Sequence, residues 1–364
     1  MGIYDTRLAS LRKLMADSAT DLVILGPSTN MLWLTGVDPH GDERPVLTVV
    51  SADFAGFLMP ALNADMARQH TDLPFFEWAD AQGPAEALSA LLDAADAKRP
   101  GLSIVLDETM RADFALMVLD AMDSPKRRFT TDTIGRLRAM KDETEADLLR
   151  TCARLNDDAV RHAMTQLKVG MTELDLQAIL HDYYKAHGAA PEFTIIGFGA
   201  NGAFPHHHTG DTVLADDMAV LIDTGCRIGG YPSDMTRSFW FGPNEPEEYK
   251  TVRRVVNAAV EAAMDAARPG VKACDVDAAA RKVIEDAGYG PRFVHRLGHG
   301  LGIDVHETPY ITSTAETVLE AGNVFSIEPG IYLTGNFGVR LEEIVILREK
   351  GPEIFSGLER VLDL

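Results

Sequence analysis

The sequence predicts a two-domain chain: an α/β domain over residues 1–130, then an internally duplicated α+β domain over residues 131–364. Three observations predict it. In the first third, short apolar runs of strand length alternate with helical stretches. After a connection at Ser124–Arg128, a long amphipathic helix starts near Glu143. From there on the chain repeats itself weakly, at a spacing close to one hundred residues.

The elements follow in order. Arg7–Met15 has helical spacing, with Leu8, Leu11 and Leu14 along one side. Asp21–Leu25, Val46–Val50 and Ser103–Leu106 are apolar runs bounded by turn-forming or polar residues and read as strands. Helical stretches lie near Pro84–Ala95 and Thr109–Met122. No catalytic constellation is visible in this domain. The helix from Glu143 directs Leu148, Leu149, Cys152, Leu155 and Val160 toward a core. In the repeat, Gly170–Leu176 lines up with Gly270–Val276, Gly188–Phe193 with Gly288–Phe293, and Leu214–Gly225 with Leu319–Gly330. Three matches in the same order predict two halves, each with two helices followed by strands.

Composition bounds the function. The chain has 364 residues, enough for about two cores. Lys plus Arg number 34 and Asp plus Glu 55, a net charge of −21. Such a surface repels nucleic acid and anionic membranes. No basic segment followed by an apolar run opens the chain, and no apolar stretch is long enough to span a bilayer. Three cysteines, Cys152, Cys226 and Cys274, are scattered without paired spacing and read as reduced thiols. The expectation is a soluble cytoplasmic protein.

The third match sets Asp223 opposite Glu328, each at the end of an apolar run. A second acid follows in each half, Asp234 and Glu342. Buried carboxylates without counter-charge protonate or destabilise a fold, and few basic residues stand beside these four. Divalent cations would neutralise them. His299, flanked by Gly298 and Gly300, offers an imidazole. Four carboxylates and one imidazole favour Mn²⁺, Co²⁺, Fe²⁺ or Zn²⁺ over a metal that needs thiolates. For Asp234 with Arg237 the competing reading is a surface ion pair across two strands.

At these residues a family resemblance appears. Ile222–Gly225, Ser233–Arg237, Gly298–Gly302, Ile327–Tyr332 and Val339–Glu342, in this order, resemble the metallopeptidases of the pita-bread fold, which include methionine aminopeptidase, aminopeptidase P and prolidase. The first third resembles the creatinase-like N-terminal domain of prolidases and aminopeptidase P. The resemblance implies two divalent metal ions per chain, Mn²⁺ foremost, with Asp223 on one ion, Asp234 and Glu342 bridging, and His299 and Glu328 on the other. It also implies that Glu328 acts as general acid/base, that His206 after Pro205 faces the substrate and the developing oxyanion, and that His306 contacts the scissile amide region. Arg340 is expected to bind a substrate carboxylate or to anchor Glu342. Glu343 stands where many relatives have aspartate, a departure expected to matter little.

His206, His207 and His208 cannot all point inward on an extended segment. His206 is therefore the active-site candidate, and His207 and His208 are expected in solvent. His295 suits a supporting role. Tyr332 and the Trp33–Leu34 region are candidates for shaping a pocket. The implied activity is hydrolysis of the bond before proline, in a dipeptide (prolidase) or at the N-terminus of a short peptide (aminopeptidase P), by a homodimer. The alternatives are hydrolysis of a small non-peptide amide or amidine such as ectoine on the same fold, and a non-catalytic peptide-binding module.

Overall fold

The computed structural model describes residues 2–362. Its chain divides into two compact units, Met1–Arg138 and Ala139–Leu364.

Among the described residues, the first unit has one six-stranded sheet. Its strands are β1 (Leu22–Leu25), β2 (Leu47–Val50), β3 (Ala55–Pro60), β4 (Phe75–Trp78), β5 (Ser103–Leu106) and β6 (Lys126–Arg128), in the order β4-β3-β2-β1-β5-β6. Helices α1 (Ile3–Asp17), α2 (Thr29–Thr35), α3 (Ala61–Ala67), α4 (Ala85–Ala94), α5 (Ala112–Asp120) and α6 (Ile134–Ala139) alternate with the strands. β1, β2 and β3 are buried along their whole length, which explains why β1 and β2 read as unbroken apolar runs. The sequence reading missed β3, whose Ala55, Gly56 and Pro60 carry little strand signal. It also missed α2, a seven-residue helix started by the Ser28 hydroxyl, which accepts from Met31 N–H at 3.3 Å, and stopped by Gly36 at φ 76°. Trp33 and Leu34, expected to shape a pocket, lie in α2 and are buried; Arg7 stacks 4.3 Å over the Trp33 ring and donates to its carbonyl at 2.8 Å. Arg138 closes the unit by donating to Asn30 Oδ1 at 2.6 Å.

The second unit shows the duplication directly. Its first half has α7 (Glu143–Thr165), α8 (Glu173–Ala186), β7 (Ala190–Phe198), β8 (Met218–Ile228), β9 (Tyr231–Pro232) and β10 (Met235–Phe241), with strand order β10-β8-β7 and β9 on β8. The second half repeats the plan with α9 (Glu247–Ala266), α10 (Ala273–Asp286), β11 (Gly298–Gly300), β12 (Glu307–Ile311), β13 (Val324–Ile327), β14 (Gly330–Leu333), β15 (Phe337–Arg340), β16 (Glu343–Arg348) and β17 (Gly351–Ile354). There β12-β11-β13-β16-β17 form a sheet, and β14 and β15 form a hairpin.

The turns that lead into α8 and α10 are the same turn twice. Gly170 N–H donates to Leu214 O at 2.9 Å and Leu214 N–H returns to Met171 O at 2.8 Å; Gly270, Leu319 and Val271 repeat this at 2.8 and 2.8 Å. Both glycines have positive φ, 93° and 90°. Each half buries its helices against its own sheet, around Tyr184, Ile196, Ile222 and Phe239 in the first and Val256, Val276, Phe325 and Val345 in the second. α7 begins with a capping box between Asp142 and Glu145. It buries Leu149, Cys152 and Val160, while Leu148 and Leu155 are half-exposed, because polar Asn156 and Asp157 take part of the inner face. Asn156 donates to Thr224 O at 2.7 Å, and Asp157 accepts from Gly357 N–H at 2.6 Å.

Candidate metal centre

One cavity of about 580 Å³ is lined by all eight residues singled out in the sequence: His206, Asp223, Asp234, His299, His306, Glu328, Arg340 and Glu342. The fold brings them there from strands and strand connections of both halves. Asp223 sits within β8, paired with Thr236 of β10 and Ile195 of β7. Asp234 fills the step between β9 and β10, His299 is the middle residue of β11, Glu328 follows β13, and Glu342 bridges β15 to β16. Asp223, Asp234, His299, Arg340 and Glu342 are all under a tenth exposed.

Single ligand atoms of Asp234, His299 and Glu342 lie within 4.8 Å of one another. His299 Nε2 is 3.2 Å from Glu328 Oε1 and 3.6 Å from Asp234 Oδ2. Its Nδ1 lies 3.2 Å from the Gly300 carbonyl, which turns Nε2 toward the acids. The glycines on either side are there for sheet packing. A Cβ at Gly298 would strike the Ser326 carbonyl, and one at Gly300 the Thr308 carbonyl.

Each acid is oriented from outside the cluster. Ser326 Oγ donates to Glu328 Oε1 at 3.0 Å and also accepts from His299 N–H at 2.9 Å. Thr236 Oγ1 donates to Glu342 Oε2 at 2.8 Å. Arg340 donates from Nη2 to Asp223 Oδ2 at 2.5 Å, from Nε to Thr236 Oγ1 at 3.1 Å, and from Nη1 to the Tyr332 hydroxyl at 2.8 Å. Arg340 thus anchors Asp223, and the anchor expected for Glu342 is supplied by Thr236. The competing surface pair of Asp234 with Arg237 does not form: both are buried, and Arg237 donates to Glu343 Oε1 at 3.0 Å and to the Glu342 carbonyl at 2.6 Å.

The electrostatics call for cations. Burial, then the charges of neighbouring carboxylates, push Asp234 and Glu342 well above the ordinary carboxylate range. Asp223 is raised too, burial outweighing the Arg340 charge. Glu328 goes the other way, down to about 2, because the His299 hydrogen bond and charge, with His295 and Arg340, overcome its burial. Buried oxygens Asp223 Oδ1 and Glu342 Oε1 have no hydrogen-bond donor. Orphaned carboxylate oxygens and an imidazole nitrogen converging on one space fit hard or borderline divalent cations.

The histidines divide by depth. His206 and His306 are exposed toward the cavity mouth, and the His306 ring packs edge-on against His299, centroids 4.1 Å apart. Burial and the charges of His299 and Arg296 bring His306 down to about 4, so its imidazole is neutral at physiological pH. His207, expected in solvent, instead points back: its Nε2 is 2.8 Å from Oε2 of the fully buried Glu173. Glu173 also accepts from Phe198 N–H, Asn201 Nδ2 and Gly210 N–H at 2.8–2.9 Å, and so pins both ends of the loop that carries His206. His295 lines the cavity and sits 2.8 Å from the Tyr332 hydroxyl. Sequence reasoning did not find Glu192, Arg296, Thr236 or Glu173. The only signal for Glu173 is its place in the first turn of α8.

Paired buried carboxylates and an imidazole, drawn from both duplicated halves, define a hydrolase that works with divalent metal ions. Residues 147–349 match metallopeptidase family M24 and residues 7–138 match the creatinase/prolidase N-terminal domain. The chain belongs to metallopeptidase family M24 and has the pita-bread fold. It is 35% identical to a probable dipeptidase PepE of Mycobacterium tuberculosis, over 96% of this chain and 93% of that one. It is 32% identical to an Xaa-Pro dipeptidase of Pyrococcus furiosus, over 98% and 99% of the two chains. The crystal structure of dipeptidase PepE from Mycobacterium ulcerans superposes with a TM-score of 0.93 at 31% identity, covering 99% of this chain and 97% of that one.

Proposed function

We propose that the protein is an Xaa-Pro dipeptidase. Asp223, Asp234, His299, Glu328 and Glu342 would hold two divalent ions, Mn²⁺ foremost among Mn²⁺, Co²⁺, Zn²⁺ and Fe²⁺. The carrying observation is the convergence of these five side chains, with two orphaned carboxylate oxygens, on one cavity of dipeptide size. The Xaa-Pro dipeptidase of Pyrococcus furiosus, alike along nearly its whole length, supports the substrate. When bound, the ions supply an acidified water and polarise the scissile carbonyl.

The chain's own groups do the rest. Glu328, ionised through the physiological range, takes a proton from the attacking water and returns it to the proline nitrogen as the bond breaks. That nitrogen leaves as a secondary amine and needs the proton. His306, neutral at working pH, donates its ring N–H to the carbonyl oxygen as charge develops there. His206 closes the opposite side of the substrate. An amide to proline has no N–H, so a site that grips the carbonyl side suits it. The protein acts in the cytoplasm as a homodimer in this reading; no helix of the described residues is long and apolar enough to cross a membrane.

The test is product release from an Xaa-Pro dipeptide, an Xaa-Pro-Yaa tripeptide and ectoine by metal-stripped, Mn²⁺-reconstituted protein. Cleavage of the dipeptide, lost in Asp234→Ala, is the expected result. Turnover of ectoine alone, or of nothing while metal is bound, contradicts it.

A further inference from the structure

His306 reaches the cavity from residues 301–306, a stretch without helix or strand between β11 and β12. Val305 of the same stretch lines the cavity beside it. The His306 side chain is exposed at the mouth, so close packing does not hold it on all sides, and the backbone beneath it has to be fixed by other groups. Leu301 N–H donates to Val324 O at 3.3 Å, and Arg227 Nη1 donates to Ile303 O at 2.8 Å. Both of these holds come before His306. Glu307 supplies one directly after it.

Glu307 is buried at the start of β12, opposite Gly300 of β11. Its carboxylate folds back into the stretch: Asp304 N–H approaches Oε2 at 3.4 Å, and the carboxylate occupies the place where a Cβ on Gly302 would stand. Lys141 Nζ donates to Oε1 of the same group at 2.6 Å, with the lysine side chain 1% and the glutamate side chain 7% exposed. The lysine is itself fixed. Its N–H donates to Gly322 O at 2.9 Å, Met140 pairs with Asn323, and Asp142 caps α7.

An ion pair buried this deeply gives up hydration that its mutual attraction only partly offsets, and an apolar pair of the same volume often holds a core at least as well. Stability alone is a poor account of Lys141. Geometry is a better one: a charge-assisted bond from a fixed ammonium sets the carboxylate, and the carboxylate sets the turn one residue from the imidazole. We propose that Lys141 is a positioning residue, holding His306 at the substrate through Glu307. The inference goes beyond the dipeptidase reading and rests on it only for the part His306 plays in the reaction.

The experiment is a double-mutant cycle on Mn²⁺-loaded protein with an Xaa-Pro dipeptide: wild type, Lys141→Met, His306→Ala and the two together. Lys141→Met is expected to lower kcat on the order of 10- to 100-fold with KM little changed, the mark of a group misplaced for the transition state. Added to His306→Ala, it is expected to cost no more than about twofold further, since the group it positions is already gone. Bound Mn²⁺ stays as in wild type. Losses that multiply in full across the cycle, or a parallel loss of metal, mark a merely structural role and overturn the proposal. Where Lys141→Met does not fold, Lys141→Met with Glu307→Gln, which removes both charges and keeps the shape, takes its place with the same expectations. Should wild type cleave no dipeptide, the dipeptidase reading fails, and the histidine NMR spectrum of the metal-free protein still decides the role of Lys141. The His306 signal, identified by its loss in His306→Ala, is expected to shift or broaden in the Lys141 variant. An unmoved signal overturns the proposal.

Discussion

Arg340 and Asp223, 117 residues apart in the chain, meet through an Nη2–Oδ2 hydrogen bond of 2.5 Å inside the cavity. The bond fixes which oxygen of Asp223 faces inward: Oδ2 is taken, and Oδ1 is left buried without a donor. A side chain that orients a metal ligand in this way typically changes metal affinity 10- to 100-fold when removed.

Arg340→Met is therefore expected to weaken Mn²⁺ binding by about that factor. Arg340→Lys recovers little, because one ammonium cannot serve Asp223, Thr236 and Tyr332 at once. Competition with a chromophoric chelator measures it; unchanged affinity in both variants contradicts the role.

The raised carboxyls make the metal-free fold sensitive to pH. Asp234, Glu342 and Asp223 bind protons more tightly folded than unfolded, so their contribution to stability is present below the unfolded value near ~4 and is lost as pH rises through the raised folded values. Glu328 has the opposite sign, but its contribution is lost only as pH falls toward about 2. The Tm of chelator-treated protein is expected to fall as pH rises above ~4, while Mn²⁺-loaded protein holds steadier, so that stabilisation by metal grows with pH. Metal binding should release protons over the same range. A metal-free Tm that rises across this window contradicts the account.

Glu173 carries no chemistry of its own, yet four donors converge on it. Glu173→Ala leaves the buried N–H of Phe198 and the half-buried N–H of Gly210 unmet and frees the His206 loop. A stability loss of about 3 kcal/mol or more is expected. Activity should fall with it even at temperatures where the variant is folded, and Glu173→Gln should restore part of both. Denaturant titration beside kinetics separates the two effects.

Arg237 is fully buried and donates to Glu343, Ser356 and the carbonyls of Glu342, Leu358 and Glu359. Arg237→Met leaves buried Glu343 only Arg360 among the described residues, 3.6 Å away, as counter-charge, an outcome expected to cost up to about 3–5 kcal/mol. Arg237→Met with Glu343→Gln should recover a large part of that loss, as read by the shift in denaturation midpoint.

What the sequence made legible was what local order encodes. The glycine-bounded motifs around Asp223, His299 and Glu328 named the cavity residues because their order along the chain repeats a known pattern, and the Gly170 and Gly270 turns exposed the duplication. The partners were hidden for a physical reason: Thr236 reaches Glu342, and Arg340 reaches Asp223, across more than one hundred residues, through pairing between halves that no local spacing encodes. His207 was assigned to solvent on the premise of an extended segment. The chain there turns instead, His207 N–H donating to Phe204 O at 3.0 Å, and Glu173 draws the ring back. In the first unit, α2 and β3 escaped because one is too short and the other too poor in branched residues to show a period.

The most direct measurement titrates Mn²⁺ into stripped protein while following both bound metal and release of proline from an Xaa-Pro dipeptide. The account predicts no turnover without metal, activity that saturates at two ions per chain, and loss of both in Glu342→Ala. Turnover by the stripped protein, or full binding and activity in that variant, would contradict it.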